Sequence, residues 1–565
     1  MISAFLILFK TYYLYDLLKY EKKDILKYSF ASFVIYNALV NGIGFIFENY
    51  NYHLVVYYVI NFLLIIDVFY VKHFHALTTI NLLKQIMYVA TVGKSIFYLF
   101  EKKIVLLFLD ILFVLFFNEG LLEYFFFSRW ILSLTLIVIL LLVVLLKAKF
   151  RLFIKKEYFC YHVYDVLEEV FKSKKDYNID DNYKYRSNTQ NKNFGIFKDK
   201  NLIIIQVEAL QNFFINRTLN GEELTPNLNK LVNKSIYFNN FYQTISRGNT
   251  SDAEFSGLTS VYPQKKSPTT LSYFDKEFNS IARVMKNRGY LTWAFHGNSD
   301  KFYKRDEMYK NLGFDNFYDK NFYSNYIKMG FGVPDKDFLM QTIDYLSKQE
   351  KNFFAYLITL SSHTPFYDIY GNLTHEDIVM RYIKSIKYFD EALGIFLDIF
   401  EKSSMADNTV LMLYGDHFGL SYFNDNEKEL FKKYFGYDYT VKNMMNIPLI
   451  IYNKNLEKNT LDNMCSQIDI LPTVLNLWGF NNYDDYIFGE DIFNKKREEV
   501  FLAGYLNRNS FFTKDGIFMT DVDESFENGK YISLGKEKID EEFLQKKFTR
   551  CKNTLENSEK FLWRK

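Results

Sequence analysis

The segment Leu202-Ile203-Ile204-Ile205-Gln206-Val207 is a short apolar run that ends abruptly at the acidic residue Glu208. From Asn201 onward, short apolar runs of this kind alternate with amphipathic helical segments. This alternation is typical of a mostly parallel sheet with helices between its strands. The predicted strands are Leu202–Val207, Leu291–Phe295, Phe353–Leu360, Val410–Tyr414 and Pro448–Tyr452. The predicted helices are Asn279–Asn287, Val379–Phe400 and Ile468–Trp478.

Polar residues follow four of these strands, and they are Glu208, His296, His363, and Asp416 with His417. In open α/β sheets, ligands bind in the crevice outside the carboxyl ends of the strands. Any one of these residues alone is more often an ordinary surface or core residue. Their joint placement is what indicates a functional site.

Thr250 lies on a glycine-containing turn within the run Arg247-Gly248-Asn249-Thr250-Ser251-Asp252-Ala253-Glu254-Phe255. A hydroxyl on a tight turn before a predicted helix is the arrangement of an activated nucleophile. Ser251–Glu254 resembles a capping box, which would place Thr250 at the helix N-terminus. The helix dipole would there favour an alkoxide or a bound phosphate. The alternative interpretation is an ordinary capping threonine.

Glu208, Asp416 and His417 offer two hard oxygens and one imidazole, and the Thr250 oxygen is a fourth ligand. This mixed set suits Mn²⁺ or Mg²⁺, and Zn²⁺ remains an alternative. A metal ion would lower the pKa of the hydroxyl and orient it for in-line attack. His363 is placed to stabilise or protonate a leaving alkoxide. The pattern predicts an enzyme that transfers a group at phosphorus.

The stretch Tyr290–Tyr309 is predicted to contact the substrate. His296 and Asn298 follow a strand there, and Arg305 is expected to bind a phosphate through two nitrogens. Either Tyr303 or Phe302 is expected to pack against a glycerol-sized headgroup. The alternative interpretation is a helix face of charged and aromatic residues with no ligand.

The chain has 565 residues and a formal net charge of +2, so its overall charge gives no argument for binding nucleic acid. This length allows a membrane module, one large domain and a small appendage. The three cysteines, Cys160, Cys465 and Cys551, share no metal-type spacing and predict no disulfide framework.

The first 150 residues are predicted to form about five membrane spans. The apolar runs are Met1–Leu18, Tyr28–Phe47, His53–Tyr70, Ile104–Phe117 and Trp130–Leu146. Ala76–Phe100 contains two lysines and is interpreted as amphipathic. Lys149–Val170 is predicted to be a basic amphipathic helix at the membrane surface, and Ser173–Lys198 a polar linker.

Lysine clusters flank the first predicted span and follow the last one. The positive-inside rule alone would place the large domain in the cytoplasm. Long domains, however, cross the membrane largely regardless of charge, and a basic collar can also hold anionic headgroups at the outer surface. The residues alone leave the topology open.

Several motifs resemble the lipoteichoic acid synthase family, whose members are polyglycerolphosphate synthases of the sulfatase/alkaline phosphatase superfamily. The similar motifs are Glu208–Gln211, Gly248–Phe255, Val261–Pro263, Phe295–Asn298, Phe302–Tyr309, Gly415–His417, Ile468–Thr473 and Ser510–Asp515. The resemblance implies a multi-pass α-helical membrane module and an extracytoplasmic α/β sulfatase-like domain with a mostly parallel central sheet. It also implies a small C-terminal α+β subdomain.

The domain boundaries that follow are 1–150 for the membrane module and 151–198 for the amphipathic helix and linker. The catalytic domain is expected at 199–503 and the C-terminal subdomain at 504–565. The resemblance also implies an Mn²⁺ site formed by Glu208, Thr250, Asp416 and His417, with Thr250 as the nucleophile.

The residues expected to contact the substrate are His296, Asn298, Tyr303, Arg305 and His363. The resemblance implies this role for Arg305 and His363, which fall on substrate-contact positions of the family. Two positions depart from the family pattern, which usually has tryptophan at the position of Tyr303 and a carboxylate near Asn298. These departures concern the headgroup and the acceptor, and leave the reaction class unchanged.

The expected reaction is transfer of phosphoglycerol from phosphatidylglycerol to an acceptor hydroxyl through a covalent threonine intermediate. A glycerophosphate chain, a glycolipid and a glucan all remain open as acceptors. The alternatives are a phosphoethanolamine transferase, a sulfatase-type hydrolase and a non-catalytic membrane receptor. A sulfatase needs a Cys/Ser-x-Pro-x-Arg motif, which Thr250-Ser251-Asp252 does not provide.

Overall fold

A computed structural model describes residues 2–47, 50–81, 104, 107–111, 151–171, 177–187, 189, 191, 193–494, 497–534 and 540–564. The chain divides into two compact units, Met1–Lys175 and Asp176–Lys565. The division lies within the segment that was predicted to be a helix followed by a linker. Elements are numbered below in chain order over the described residues.

The described part of the first unit is helical. Its helices are α1 (Ile2–Leu17), α2 (Lys22–Phe47), α3 (Tyr50–Phe74), α4 (Arg151–Lys156) and α5 (Tyr158–Val170). Within the described residues, only Val55–Lys72 is long and apolar enough to cross a membrane, and it coincides with the predicted span His53–Tyr70. Trp130–Leu146 and most of Ile104–Phe117 and Ala76–Phe100 lie outside the described residues. The multi-pass architecture therefore stays a prediction.

The segment predicted as one surface helix over Lys149–Val170 forms two helices, because the chain is extended at Glu157. The Glu157 side chain caps α5 by accepting a hydrogen bond from the Cys160 backbone N–H at 2.8 Å. An extended capping residue whose side chain satisfies a backbone donor of the first turn is a common helix start. Helix α5 buries Tyr158 and Phe159, whereas Val163 and Val170 are exposed. The basic residues Arg151, Lys155 and Lys156 lie on α4, and α5 has no lysine or arginine.

Buried polar contacts join the helices of the first unit. Lys10 on α1 donates to Asp110 Oδ2 at 2.6 Å and also to Asn61 on α3. Asp67 on α3 accepts a hydrogen bond from the Tyr158 hydroxyl at 3.0 Å. Since buried polar groups without partners are costly, these contacts stabilise the arrangement of the helices.

The second unit is built on a sheet of nine strands. They are β1 (Asn201–Val207), β4 (Ile236–Tyr242), β5 (Leu291–His296), β6 (Asn316–Tyr318), β7 (Phe353–Ile358), β8 (Thr409–Gly415), β9 (Asn446–Tyr452), β10 (Asn459–Leu461) and β11 (Cys465–Ser466). A separate hairpin is formed by β2 (Thr218–Leu219) and β3 (Glu222–Glu223). The strand order is β10-β4-β9-β8-β1-β7-β5-β6, with β11 paired to β4. Only β9 runs antiparallel to its neighbours, so the predicted mostly parallel sheet is confirmed.

The central strand β1 is buried along its whole length and pairs with β7 and β8 on its two sides. Ile203, Ile205 and Val207 pack into the core on one face of the sheet, and Leu202 and Ile204 pack into the core on the other. This alternation follows from the two-residue period of a strand. Because β8, β1, β7 and β5 are adjacent and parallel, the residues after their carboxyl ends share one edge.

Helices cover both faces of the sheet. They are α6 (Pro226–Val232), α7 (Thr250–Thr259), α8 (Thr269–Tyr273), α9 (Ile281–Asn287), α10 (Arg305–Asn311), α11 (Asp335–Ser347), α12 (Ile378–Lys402), α13 (Asp425–Phe435), α14 (Val441–Met445), α15 (Ile470–Leu477) and α16 (Glu541–Arg564). The helix predicted over Ile468–Trp478 begins with a tighter turn at Gln467–Asp469. Strand β4 was not predicted, because Asn239 and Asn240 interrupt its apolar pattern at a register shift.

The predicted polar linker is part of the second unit rather than a free connection. Ile179 and Phe197 are buried in its core, and the Tyr185 backbone N–H donates to Asp485 O at 3.0 Å. The prediction was wrong here because two apolar residues in a polar segment are enough to anchor it.

A four-stranded antiparallel sheet and α16 form the C-terminal region. The strands are β12 (Glu499–Phe501), β13 (Phe511–Thr513), β14 (Gly516–Met519) and β15 (Lys530–Ser533). The first of these strands lies before the predicted boundary at residue 504. The buried carboxylate of Glu499 accepts hydrogen bonds from Lys547 and Arg550 of α16, which holds the helix to the sheet.

Candidate active site

The structure brings Glu208, Thr250, Asp416 and His417 together at the shared edge of the sheet. The Thr250 hydroxyl donates to Glu208 Oε2 at 3.1 Å and lies 3.2 Å from His417 Nε2. His417 Nε2 is 3.3 Å from Glu208 Oε1 and 3.5 Å from Asp416 Oδ2. One ligand atom each from Glu208, Asp416 and His417 lies within 4.8 Å of the others. All four side chains are buried.

Two features of this cluster fit a divalent cation. Asp416 Oδ1 accepts hydrogen bonds from the backbone N–H groups of Ala209 and His417, whereas the buried Oδ2 receives none from the described residues. The Nδ1–H of His417 donates to the Phe418 carbonyl at 2.8 Å, so Nε2 is the ring atom that faces the cluster. Asp416 Oδ2 and His417 Nε2 therefore face the same space, and both can bind a cation there.

The pKa values of the two carboxyl groups also fit a divalent cation at this place. Burial, together with the nearby Glu208 carboxylate, raises the pKa of Asp416 to about 8. Although burial opposes it, the attraction of His417 and His363 lowers the pKa of Glu208 to about 2. Two buried carboxylates repel each other, and a divalent cation between them relieves that repulsion.

Thr250 is the first residue of α7, as predicted, but the predicted capping box is wrong. The N-cap is Asn249, which has a φ of 42° and makes no side-chain capping bond. Asp252 instead holds the preceding turn, because its Oδ2 accepts from the backbone N–H groups of Ser246 and Gly248 at 3.1 and 2.7 Å. A Cβ atom on Gly248 would lie 2.6 Å from Asp252 Oδ1, so this turn requires glycine.

Gln206 is a site residue that sequence reasoning missed. Its Nε2 donates to the Thr250 carbonyl at 3.2 Å, which ties the start of α7 to strand β1. Its Oε1 accepts from the hydroxyls of Tyr356 and Tyr414 at 2.5 and 2.8 Å. The available signal was a single polar residue inside an otherwise apolar strand, because such a residue must find buried partners.

Two further glutamines, Gln211 and Gln467, hold the backbone at and after Asp416 and His417. Gln211 Oε1 accepts from the backbone N–H groups of Gly419 and Leu420 at 3.1 and 3.2 Å. Gln467 Nε2 donates to the Asp416 carbonyl at 2.6 Å. These contacts fix the backbone that carries the carboxylate and the imidazole, and their sequence separation explains why they were not predicted.

The structure contradicts the expectation that two nitrogens of Arg305 are available to bind a phosphate. Its Nε and Nη2 atoms bind the Glu254 carboxylate of α7, with distances between 2.5 and 3.2 Å. The Tyr309 hydroxyl donates to the same carboxylate at 2.5 Å. Only Nη1 of Arg305 is left, buried and without a hydrogen-bond partner in the described chain. The structure therefore offers one nitrogen for a ligand rather than a fork.

His296 and His363 lie near this edge. His296 is buried, and its Nδ1–H donates to the Ile358 carbonyl at 3.0 Å. Burial and the neighbouring Arg305 lower the pKa of His296 to about 3, so the ring is neutral. The Nδ1–H of His363 donates to the Thr364 carbonyl at 2.6 Å, and its ring packs on Phe331 at 4.6 Å between centroids.

The remaining predicted contact residues lie on the loop before α10. Asn298 is partly buried, and its Oδ1 accepts from the backbone N–H of Ser299 at 2.7 Å. Tyr303 has a φ of 57°, and its ring lies 5.6 Å from the Arg305 guanidinium. Tyr303 thus lies beside the Arg305 guanidinium. The Asn298 carbonyl also accepts from the Lys320 backbone N–H at 3.1 Å, which ties this loop to a later segment.

Comparison with known proteins agrees with this arrangement. Residues 200–480 match the sulfatase family model. The lipoteichoic acid synthase of Staphylococcus aureus is 33% identical over 354 residues, covering 60% of this chain and 54% of that protein. The crystal structure of the lipoteichoic acid synthase LtaP from Listeria monocytogenes has a TM-score of 0.63 and 32% identity, covering 68% of this chain and 97% of that one. The chain belongs to the lipoteichoic acid synthase family.

Lipoteichoic acid synthase 2 of Bacillus subtilis is also similar, with 31% identity over 321 residues, covering 54% of this chain and 49% of that protein. The chain thus spans about half the length of the two synthases that it matches. A protein of the alkaline phosphatase superfamily from Vibrio parahaemolyticus shares the fold, with a TM-score of 0.53 and 25% identity over 67% of this chain and 93% of that one. Family membership within the sulfatase/alkaline phosphatase superfamily was predicted from the motifs and is confirmed.

Proposed function

We propose that this member of the lipoteichoic acid synthase family transfers phosphoglycerol from phosphatidylglycerol to an acceptor hydroxyl, with Thr250 as the nucleophile. The observation that carries the proposal is the convergence of Glu208, Asp416 and His417 on the Thr250 hydroxyl. A buried hydroxyl at a helix N-terminus, surrounded by metal-ligand side chains, suits covalent transfer of a phosphoryl group. The names of the relatives support the same reaction class.

In the first step, Thr250 Oγ1 attacks the phosphorus of the donor lipid. The Oγ1–phosphorus bond forms, and the bond from phosphorus to the diacylglycerol oxygen breaks. The hydroxyl proton is released to solvent as the Oγ1–phosphorus bond forms, and His363 donates a proton to the leaving oxygen. Glycerophosphate is then attached to Thr250, and diacylglycerol is released.

In the second step, an acceptor hydroxyl attacks the same phosphorus. The acceptor hydroxyl gives its proton to His363, which lost one in the first step. The acceptor oxygen–phosphorus bond forms, the Oγ1–phosphorus bond breaks, and Thr250 Oγ1 takes up a proton from solvent. The start of α7 stays in place throughout, because Gln206 and Asp252 hold the backbone on both sides of Thr250. A rigid nucleophile lowers the cost of aligning the reacting atoms.

The cation of this site is proposed to be Mn²⁺, held by Glu208, Thr250, Asp416 and His417. When bound, it would lower the pKa of the Thr250 hydroxyl and screen the charge of the phosphate. Mg²⁺ and Zn²⁺ are the alternatives for the same donor set. The buried Asp416 Oδ2 without a hydrogen-bond donor in the described chain supports a cation at this place.

We also propose that the protein is a multi-pass protein of the cell membrane with its catalytic domain outside the cytoplasm. The apolar segment Val55–Lys72 supports a membrane location. Donor lipid and membrane are then the partners of the enzyme. A reporter fused after Lys156 tests the topology: alkaline phosphatase activity is expected, and a fluorescent cytoplasmic reporter signal would contradict it.

The decisive experiment for the reaction uses purified full-length protein with labelled phosphatidylglycerol, Mn²⁺ and no acceptor. Peptide mass spectrometry is expected to find glycerophosphate on Thr250. Adding candidate acceptors, namely glycerophosphate chains, glycolipids and glucans, then identifies the product that forms. Phosphoethanolamine on Thr250 when phosphatidylethanolamine is supplied, with no reaction of phosphatidylglycerol, would identify a phosphoethanolamine transferase instead.

A further inference from the structure

Two loops beside His363 expose large apolar side chains to solvent. Ile327 is 74% exposed on the first loop, and Ile369, Tyr370 and Leu373 are 50%, 70% and 45% exposed on the second. We call these four residues the apolar rim. Clustered exposed apolar side chains of this size mark an interaction surface, because scattered single residues are the usual pattern on soluble surfaces.

The two loops contact each other and act as one surface. A Cβ atom on Gly330 would lie 2.8 Å from the Tyr367 ring, and one on Gly371 would lie 3.4 Å from the Lys328 carbonyl. The second loop is a closed turn, in which the Asp368 backbone N–H donates to Asn372 O at 2.9 Å. Asp368 Oδ1 accepts from the backbone N–H groups of Tyr370 and Asn372, so the rim side chains project from a held backbone.

The rim is continuous with the candidate active site. Phe331 of the first loop packs on His363 at 4.6 Å and on Tyr367 at 6.2 Å between ring centroids. Val333 N donates to the Gly297 carbonyl at 2.9 Å, directly after His296. The two loops therefore form a continuous surface that runs from His363, beside the proposed leaving group, to the apolar rim.

The more exposed of the two loop charges is positive. Lys328 lies next to Ile327 and is exposed, and it forms no ion pair within the described residues. The Asp368 carboxylate is half-buried and accepts hydrogen bonds within its own turn. Apolar side chains with a tyrosine and an unpaired lysine form the composition that binds the boundary between acyl chains and anionic headgroups.

We propose that the apolar rim docks the catalytic domain onto the surface of the donor-lipid bilayer. This rests on the proposed function, because a donor lipid places its phosphate at the headgroup level and its glycerol carbons just below. A rim inserted among the headgroups holds His363 and Thr250 at the depth of that phosphate. The partner is an anionic lipid surface.

The test compares two donors with the full-length protein. One donor is long-chain phosphatidylglycerol in nanodiscs, and the other is short-chain phosphatidylglycerol supplied as monomers in solution. Ile369→Ser combined with Tyr370→Ser is expected to raise the apparent KM for the bilayer donor about tenfold, since two interfacial anchors are lost. Diacylglycerol release from the short-chain donor is expected to stay within about twofold of the wild type, because the reacting groups are untouched.

The matched control is Ile532→Ser, which removes an equally apolar side chain that is 44% exposed on β15, far from these loops in sequence. Ile532→Ser is expected to leave the apparent KM and the diacylglycerol release unchanged with both donors. Equal losses with both donors in the rim variant would overturn the proposal and indicate a structural or protein-binding role. A loss in Ile532→Ser equal to that of the rim variant would overturn it as well.

A direct measurement separates the rim from the chemistry. The Tyr370→Trp variant in nanodiscs with brominated acyl chains is expected to show more quenching of tryptophan emission than the parent protein. Equal quenching would refute the docking. If the wild type transfers no glycerophosphate from either donor while the added tryptophan of the Tyr370→Trp variant is still quenched, the proposed function fails and the docking surface stands.

Discussion

Two buried charge clusters lie at the same edge of the sheet, and they differ in whether their charges are already balanced. The Glu208–Asp416–His417 cluster has an Asp416 oxygen with no hydrogen-bond donor among the described residues and two carboxylates that repel each other. In the Arg305–Glu254 pair, by contrast, the carboxylate accepts from the guanidinium and from Tyr309. Both clusters touch α7, at Thr250 and at Glu254.

The difference separates a cluster that needs a ligand from one that stabilises the fold. A buried carboxylate that lacks donors favours a cation, whereas a paired one depends on its protein partner. Removing a charge is therefore expected to have opposite consequences in the two clusters. The first should lose metal and activity while keeping its fold, and the second should lose stability whether or not metal is present.

The largest effect is expected for Thr250→Ala. In the proposed mechanism the hydroxyl oxygen forms the covalent bond to phosphorus, so turnover should fall by about 10³-fold or more. The overall fold should be kept, because the hydroxyl contributes little to packing. Diacylglycerol release and circular dichroism measure the two properties. Thr549→Ala, on the exposed face of α16, is the matched control, and substantial turnover by Thr250→Ala would overturn the mechanism.

The second prediction concerns the effect of Glu208→Gln or His417→Ala on metal binding. In the wild type, cation at about 100 times its Kd should stabilise the fold by ~2.7 kcal/mol, an increment that EDTA removes. Each variant should lose this increment, and bound metal measured by mass spectrometry should fall with it. A variant that keeps full metal content and full activity would show that the ligand set is wrong.

Glu254→Gln tests the second cluster, the Arg305–Glu254 pair. It leaves the buried Arg305 guanidinium without its carboxylate, which should cost about 3–5 kcal/mol of unfolding free energy. The loss should be the same with and without EDTA, measured by denaturant titration. Combining Glu254→Gln with Arg305→Met should recover part of the stability. A loss that disappears in EDTA would mean that the two clusters are one site.

The last prediction concerns Glu427, a buried carboxyl without a cationic partner in the described residues. Burial raises its pKa to about 7, although hydrogen bonds from Ser421 N and Asn424 Nδ2 oppose the shift. A raised carboxyl pKa stabilises the fold at low pH, and this contribution is lost as the pH rises from about 4.5 towards 7.

The contribution of Glu427 to the unfolding free energy is on the order of 3 kcal/mol. Glu427→Gln should therefore make the unfolding free energy less dependent on pH between about 4.5 and 7. Denaturant titrations at several pH values measure this. Glu429→Gln, two residues along the same helix, is the control and should keep the wild-type pH dependence.

The sequence by itself determined the class of fold and the place of the site. Apolar runs such as Leu202–Val207 are long enough to form buried strands whatever surrounds them. A polar residue at the end of such a run is placed at the carboxyl edge of a parallel sheet, which is why Glu208, Asp416 and His417 were predicted together with Thr250. These inferences depend on local period and strand direction, which the sequence carries directly.

Only the tertiary structure decided which polar groups pair with one another. Arg305 was predicted to bind a phosphate, but it is paired with Glu254, which was assigned to a capping box. Gln206 holds the backbone at Thr250, and Gln467 holds the backbone at Asp416. Both contacts join residues that are far apart in the sequence. Hydrogen bonds are short-ranged and depend on which groups burial brings together. Their partners follow from the packing of the whole domain, and no local pattern encodes them.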